Sequence, residues 1–158
     1  MSTPGIAGPV LAILLVTGGV LDVFARRLPN VLCLVTAIAG ATATLLTSGA
    51  QGAVSALSHG LLVLILGAAL FRMGVIGGGD AKFYAAVATW FPLGAAARLL
   101  LAVSLSGLAL FMAWFTARRL AGRKVVRNAT SAHDRFPYGI AIATGGLLAW
   151  ALQVRMPG

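Results

Sequence analysis

Residues 6–24 read IAGPVLAILLVTGGVLDVF, a run whose one charged residue, Asp22, lies two residues from its end. Crossing a hydrocarbon core takes about 20 mostly apolar residues, so this stretch predicts a membrane helix. The rest of the 158-residue chain repeats the pattern. It is 59% hydrophobic and 9% charged, with a mean hydropathy of +0.97. An ordinary soluble domain is about 25% charged, which excludes a soluble protein. Five further apolar segments follow: Leu32 to Thr47, Val54 to Phe71, Ala81 to the Trp90-Phe91-Pro92 cluster, Ala95 to Thr116, and Tyr138 to Val154. The expected fold is all-α, one polytopic domain over residues 1–158 with about six transmembrane helices. The second and fourth segments are short, and the fourth also fits a partly inserted segment. Dense Gly and Ala favour close helix packing in lipid. There is no internal repeat.

Net charge is +9, from 12 Lys+Arg and 3 Asp+Glu. The basic residues fall between the apolar segments, which is a topology signal and argues against nucleic acid as partner. Arg26, Arg27, Arg72, Lys82, Arg118, Arg119, Arg123, Lys124, Arg127 and Arg135 fall in odd-numbered loops. Arg98 and Arg155 alone fall elsewhere. Positive loops stay cytoplasmic, so both termini are expected on the non-cytoplasmic side, and the basic fifth loop against anionic lipid. The start of the chain lacks the basic region of a cleavable signal peptide, so the first segment is expected to persist as a helix. Cys33, the one cysteine, supports neither an intramolecular disulfide nor a cysteine zinc site. It reads as a small hydrophobe.

The acids are Asp22, Asp80 and Asp134, and all three fall towards the cytoplasmic side of this topology. A carboxylate at membrane depth costs several kcal/mol unless protonated, paired or hydrated. Asp80 closes Gly77-Gly78-Gly79-Asp80. Glycine tolerates unusual backbone angles, so this run reads as a hinge and a place of close backbone approach. Asp80 then opens the fourth helix, where the positive end of the helix dipole favours an anion. The competing reading makes Asp80 a simple N-cap. Asp22 stands at a helix C-terminus, where the dipole disfavours it. The competing reading there is an ion pair with Arg26, one turn on. Pro29 biases Leu28 away from helix and helps end the segment. Two carboxylates sharing a site hold one proton between them. One then takes a proton from water while the other donates to a scissile carbonyl, which is peptide hydrolysis with no metal and no cofactor.

Asp22, the run Arg26-Arg27-Leu28-Pro29-Asn30, the GxGD motif at 77–80 with Lys82 after it, and Pro137-Tyr138-Gly139-Ile140-Ala141-Ile142 together resemble the type IV prepilin peptidase family. The likeness is closest to its small CpaA/TadV-like branch, associated with Flp-type (tight-adherence) pili. It covers most of the chain. The resemblance implies that Asp22 and Asp80 are the catalytic aspartates and that Gly77 and Gly79 are the motif glycines. It implies a bacterial inner-membrane endopeptidase that removes the basic leader from prepilins, single-helix substrates, at the cytoplasmic face. The N-terminal domain with paired cysteines of larger members is not in this sequence, so peptidase activity without N-methyltransferase activity is expected.

Other residues carry two readings each. Lys82 lowers a neighbouring carboxylate's pKa or holds a substrate carboxylate, or else it is a snorkelling anchor. Tyr138 lines the site or anchors at the interface. Pro29, Asn30 and Gly78 belong to the motif stretches. Arg72 reads as a topology anchor, His59 as interfacial, and Asp134 as a local ion pair beside His133. The rival functional class is a small transporter or proton relay that uses intramembrane acids. A third is an assembly subunit without activity.

Overall fold

The computed structural model describes residues 4–25, 28–120 and 138–155. Among these residues all regular structure is helical: α1 (Pro4–Phe24), α2 (Asn30–Arg72), α3 (Gly78–Ala88), a 3₁₀ turn (Leu93–Ala95), α4 (Ala96–Leu120) and α5 (Tyr138–Arg155). Three helical stretches are long and apolar enough to cross a membrane: Gly5–Phe24, Asn30–Arg72 and Leu93–Leu120. Arg26, Arg27, Arg123, Lys124, Arg127, His133, Asp134, Arg135 and Pro137 lie outside the described residues, and with them the Arg26 pairing, the Asp134 pairing and the basic fifth loop.

The segments expected at 32–47 and 54–71 form one run of 43 residues. A straight helix of that length would reach about 65 Å, twice a hydrocarbon core. Gly49 breaks it, with φ 68° and ψ −170°, a conformation that L side chains rarely adopt. The expected loop at Ser48–Gly52 is thus a one-residue break rather than a separate turn. Contacts with α3 show that the two arms fold back. Near the start of α3, Lys82 bonds Asn30 in the first arm, and Ala81 packs on Gly67 in the second. Near its end, Thr89 meets both Gly40 and Gly60. The arms therefore run antiparallel, with α3 seated against both.

At 11 residues α3 is the shortest helix, and it ends within the bundle. The last carbonyls of a helix have no partner within it, and apolar surroundings supply none. Here the next residues close them, Trp90 N–H donating to Val87 O and Phe91 N–H to Ala88 O, both at 3.1 Å, and Thr89 Oγ1 to Ala86 O at 2.8 Å. The α2 run partners the turn that follows. His59 is buried and its Nδ1 lies 3.1 Å from the Phe91 carbonyl. A carbonyl only accepts, so Nδ1 carries the proton. The Ser55 hydroxyl accepts from Leu93 N–H at 3.0 Å. In return Trp90 Nε1 donates to Thr36 O at 2.9 Å, and Thr89 Oγ1 to Ala37 O at 3.2 Å. His59 is therefore a buried partner of that turn and not the interfacial residue expected from its position. The sequence masks this because its acceptor is 32 residues away.

Close approach is bought with glycine. A Cβ on Gly40 would stand 2.6 Å from Trp90, and one on Gly145 would stand 2.4 Å from Val103 Cα. The α5 helix lies antiparallel to α1, with Gly8 on Trp150, Leu15 on Gly146 and Gly19 beside Ala143. The core between the helices holds Leu11, Leu15, Phe83, Val87, Trp90 and Phe91, and Cys33 is buried there as a hydrophobe.

These registers bring the end of α1, both outer ends of α2, the starts of α3 and α5 and the end of α4 to one side of the bundle. Arg72, Lys82, Arg118 and Arg119 sit on that side, and Arg98 and Arg155 on the other. A cavity of about 130 Å³ opens on the side away from the acids, where Pro92, Trp90 and Trp150 face Thr44 and Ser48.

Gly40→Ala should lower stability by about 1–3 kcal/mol through overpacking. Gly94→Ala, where a Cβ meets nothing within 4 Å, should leave stability unchanged. Thermal unfolding of the detergent-solubilised protein reads both.

Candidate active site

Asp22 is in the last turn of α1 and Asp80 in the first turn of α3. The two helices are antiparallel. One turn deeper, the end of the Phe83 ring packs against Gly18, where a Cβ would collide with it. A side chain at 18 would push α3 away, so Gly18 sets how near the two aspartates come. The charge of Asp22 reaches Asp80 and raises its proton affinity.

The helix start corrects the expected hinge. Gly77 is the N-cap of α3, with φ −72° and ψ 143°, and Gly78 and Gly79 are already helical. The left-handed glycine is Gly74, with φ 72°. It ends α2 in a Schellman motif, in which Gly74 N–H donates to Phe71 O at 2.9 Å and Val75 N–H to Leu70 O at 3.0 Å. The three motif glycines instead make room for neighbours. A Cβ on Gly78 would stand 3.3 Å from the Phe71 ring, and one on Gly79 3.4 Å from Leu28 Cβ. On Gly77 it would stand 2.6 Å from Asp80 Oδ2.

Asp80 is the third residue of α3 rather than its N-cap, and its carboxylate reaches back to the backbone of Gly77. That is half of a capping box. Capping does not set its charge state. Asp80 lies outside the three helices long enough to cross a membrane. Burial, and then the charge of Asp22, push its pKa up to about 6 against the opposing bond from Gly77. Lys82 has no part in that shift.

Asp22 is buried, and its Oδ2 accepts from the Gly139 N–H at 2.7 Å. Gly139 is the second residue of α5, so Asp22 fills a donor that the start of α5 leaves without a helical partner. The positive end of α5 offsets the unfavourable end of α1. Sequence reasoning named Tyr138 in this stretch and passed over Gly139. The signal was present in the Tyr138-Gly139 pair, but only the fold reveals which acid the glycine meets.

Lys82 is exposed, and its Nζ donates to Asn30 Oδ1 at 3.0 Å. It ties the start of α3 to the start of α2. Pro29 is the N-cap of α2, with φ −63° and ψ 137°. Leu28-Pro29-Asn30 is thereby held against α3 at Gly79 and Lys82. Tyr138, the first residue of α5, is 46% exposed beside Gly139. Arg72 is exposed in the last turn of α2. The structure thus places Asp22 with Gly139, and Asp80 with Gly77, at one end of the bundle, with Gly79 against Leu28 and Lys82 bonded to Asn30 beside them. His59 stands apart.

Residues 9–112 match the family model described as the type IV leader peptidase family. That span includes Asp22, the Gly77–Asp80 motif and Lys82, and ends before α5. No curated protein and no solved structure matches the chain.

Folding raises the Asp80 pKa from 3.8 to about 6, so the folded state binds its proton more tightly than the unfolded state does. The sign follows from linkage: stability falls as pH rises through that window and stays lower above it. Asp80→Asn removes the charge. It should raise the melting temperature at pH 8 and leave it near wild type at pH 4, read by thermal unfolding at the two pH values.

Proposed function

The chain belongs to the type IV leader peptidase family, and from that premise we propose a membrane aspartyl endopeptidase in which Asp22 and Asp80 are the catalytic pair. The observation that supports the reading is that α1 and α3 bring Asp22 and Asp80 to the same end of the bundle, near enough for the charge of Asp22 to help push the Asp80 pKa up to about 6. The pair titrates as a unit.

One ionised carboxylate takes a proton from water as the water oxygen attacks the scissile carbonyl carbon. The protonated partner gives its proton to the carbonyl oxygen. The resulting diol collapses, and the C–N bond breaks. The amine leaves with the proton first taken from water, and a diol hydroxyl returns a proton to the other carboxylate. No covalent intermediate forms.

The substrate is a prepilin with a basic leader and a single hydrophobic helix, of the Flp type that the motif pattern resembles. It approaches laterally, with its scissile segment at the end of the bundle that carries Asp22 and Asp80. Arg72, Lys82, Arg118 and Arg119 at that end support a cytoplasmic orientation in a bacterial inner membrane, with anionic lipid around them. Both termini then face the other way.

Asp22→Asn and Asp80→Asn should each insert at wild-type level and slow leader removal by at least about 100-fold. Co-expression with a prepilin, read by the size shift on leader loss, checks this. Wild-type maturation with Asp80→Asn would overturn the reading.

A further inference from the structure

We propose that Gly139 is the positioning residue of the aspartate pair: its N–H fixes the Asp22 carboxylate, and its missing side chain is what admits Asp22 to that place. The inference rests on the peptidase reading above.

Three observations meet here. First, Asp22 lies in the final turn of α1, where the helix dipole repels a carboxylate, so it needs a donor from elsewhere. Gly139 N–H supplies one at 2.7 Å, with both residues buried. Second, the approach leaves no slack. A Cβ at 139 would stand 2.7 Å from Asp22 Cβ and 2.8 Å from its Cγ and Oδ2. Those atoms are the stem and head of a short side chain, so relief requires moving the carboxylate or shifting α5. Third, the tightness is local to the carboxylate. Along the same α1–α5 seam, a Cβ on Gly146 would stand 3.1 Å from Leu15, and one on Gly19 3.5 Å from Ala143. One on Gly8 would stand 3.0 Å from Trp150, so every other glycine of the seam leaves more room than Gly139 does, as it would if the glycine at 139 served the acid rather than helix packing in general.

Gly139 touches no reacting atom in this account. It acts through Asp22, by holding one rotamer and directing Oδ2 towards the start of α5. Displacing a catalytic group by about 1 Å can cost about 100-fold in rate. The loss belongs to the chemical step, not to substrate capture.

The test compares the purified full chain in micelles on a prepilin substrate. Gly139→Ala should lower kcat about 100-fold and leave KM within about twofold. Gly19→Ala, on the same seam, should leave both unchanged. Near-wild-type kcat in a folded Gly139→Ala protein overturns the proposal, as does a rise in KM alone or an equal loss in Gly19→Ala. If Gly139→Ala does not insert, amide exchange decides without it. The Gly139 amide should exchange at least about tenfold faster in Asp22→Ala than in wild type, and equal rates overturn the proposal. Cleavage that survives Asp22→Asn would instead sink the peptidase reading, which the exchange measurement does not depend on.

Discussion

The turn that follows α3, residues 89–93, lies against α2, and its polar groups need partners that apolar surroundings do not supply. Much of the architecture follows from meeting that need. The two arms of α2 must flank α3, because one presents Thr36 and Ala37 and the other presents His59 and Ser55. For both arms to reach it the run must fold back, which Gly49 permits. For α3 to lie close enough, Gly40, Gly60 and Gly67 must lack side chains on its path. A short helix thus sits among longer neighbours, fixed at its far end by polar contacts. Its near end can then present Asp80 at a set height.

Two helix N-termini converge on two acids. The start of α3 carries Asp80 within its own first turn, and the start of α5 donates to Asp22 from across the bundle. Backbone dipoles and N–H groups can therefore stabilise negative charge on both carboxylates. Burial and mutual repulsion work in the opposite direction on Asp80. An Asp80 pushed up to about 6 keeps its proton closer to neutral pH than an ordinary carboxyl, which suits the general-acid work proposed for the site.

Much of this was legible in the sequence, for physical reasons. Apolar runs report helices directly, so the six expected segments fall on helical stretches, three of which are long and apolar enough to cross a membrane. Acids are so rare that Asp22 and Asp80 stand out, and the motif glycines mark the second. What escaped was long-range. His59 looked interfacial because its carbonyl partner lies 32 residues on. Gly77–Gly79 looked like a hinge because glycine's tolerance of unusual angles and its lack of bulk give the same letter. Here bulk is the reason, and the left-handed turn belongs to Gly74. Lys82 read either as a charge acting on a carboxylate or as a snorkelling anchor, and nothing in the sequence signalled its bond to Asn30, 52 residues away.

The bond between Asp22 and Gly139 joins residues 117 positions apart, and that separation has a consequence in time. A membrane chain is made from its N-terminus, so Asp22 emerges early and the first turn of α5 late. Until α5 inserts, Asp22 lacks this donor, whatever α1 to α4 have already formed. Completion of the aspartate pair is therefore tied to completion of the polypeptide. In a nascent chain whose α5 has not yet inserted, the Asp22 carboxylate is without the N–H that fixes it in the finished fold.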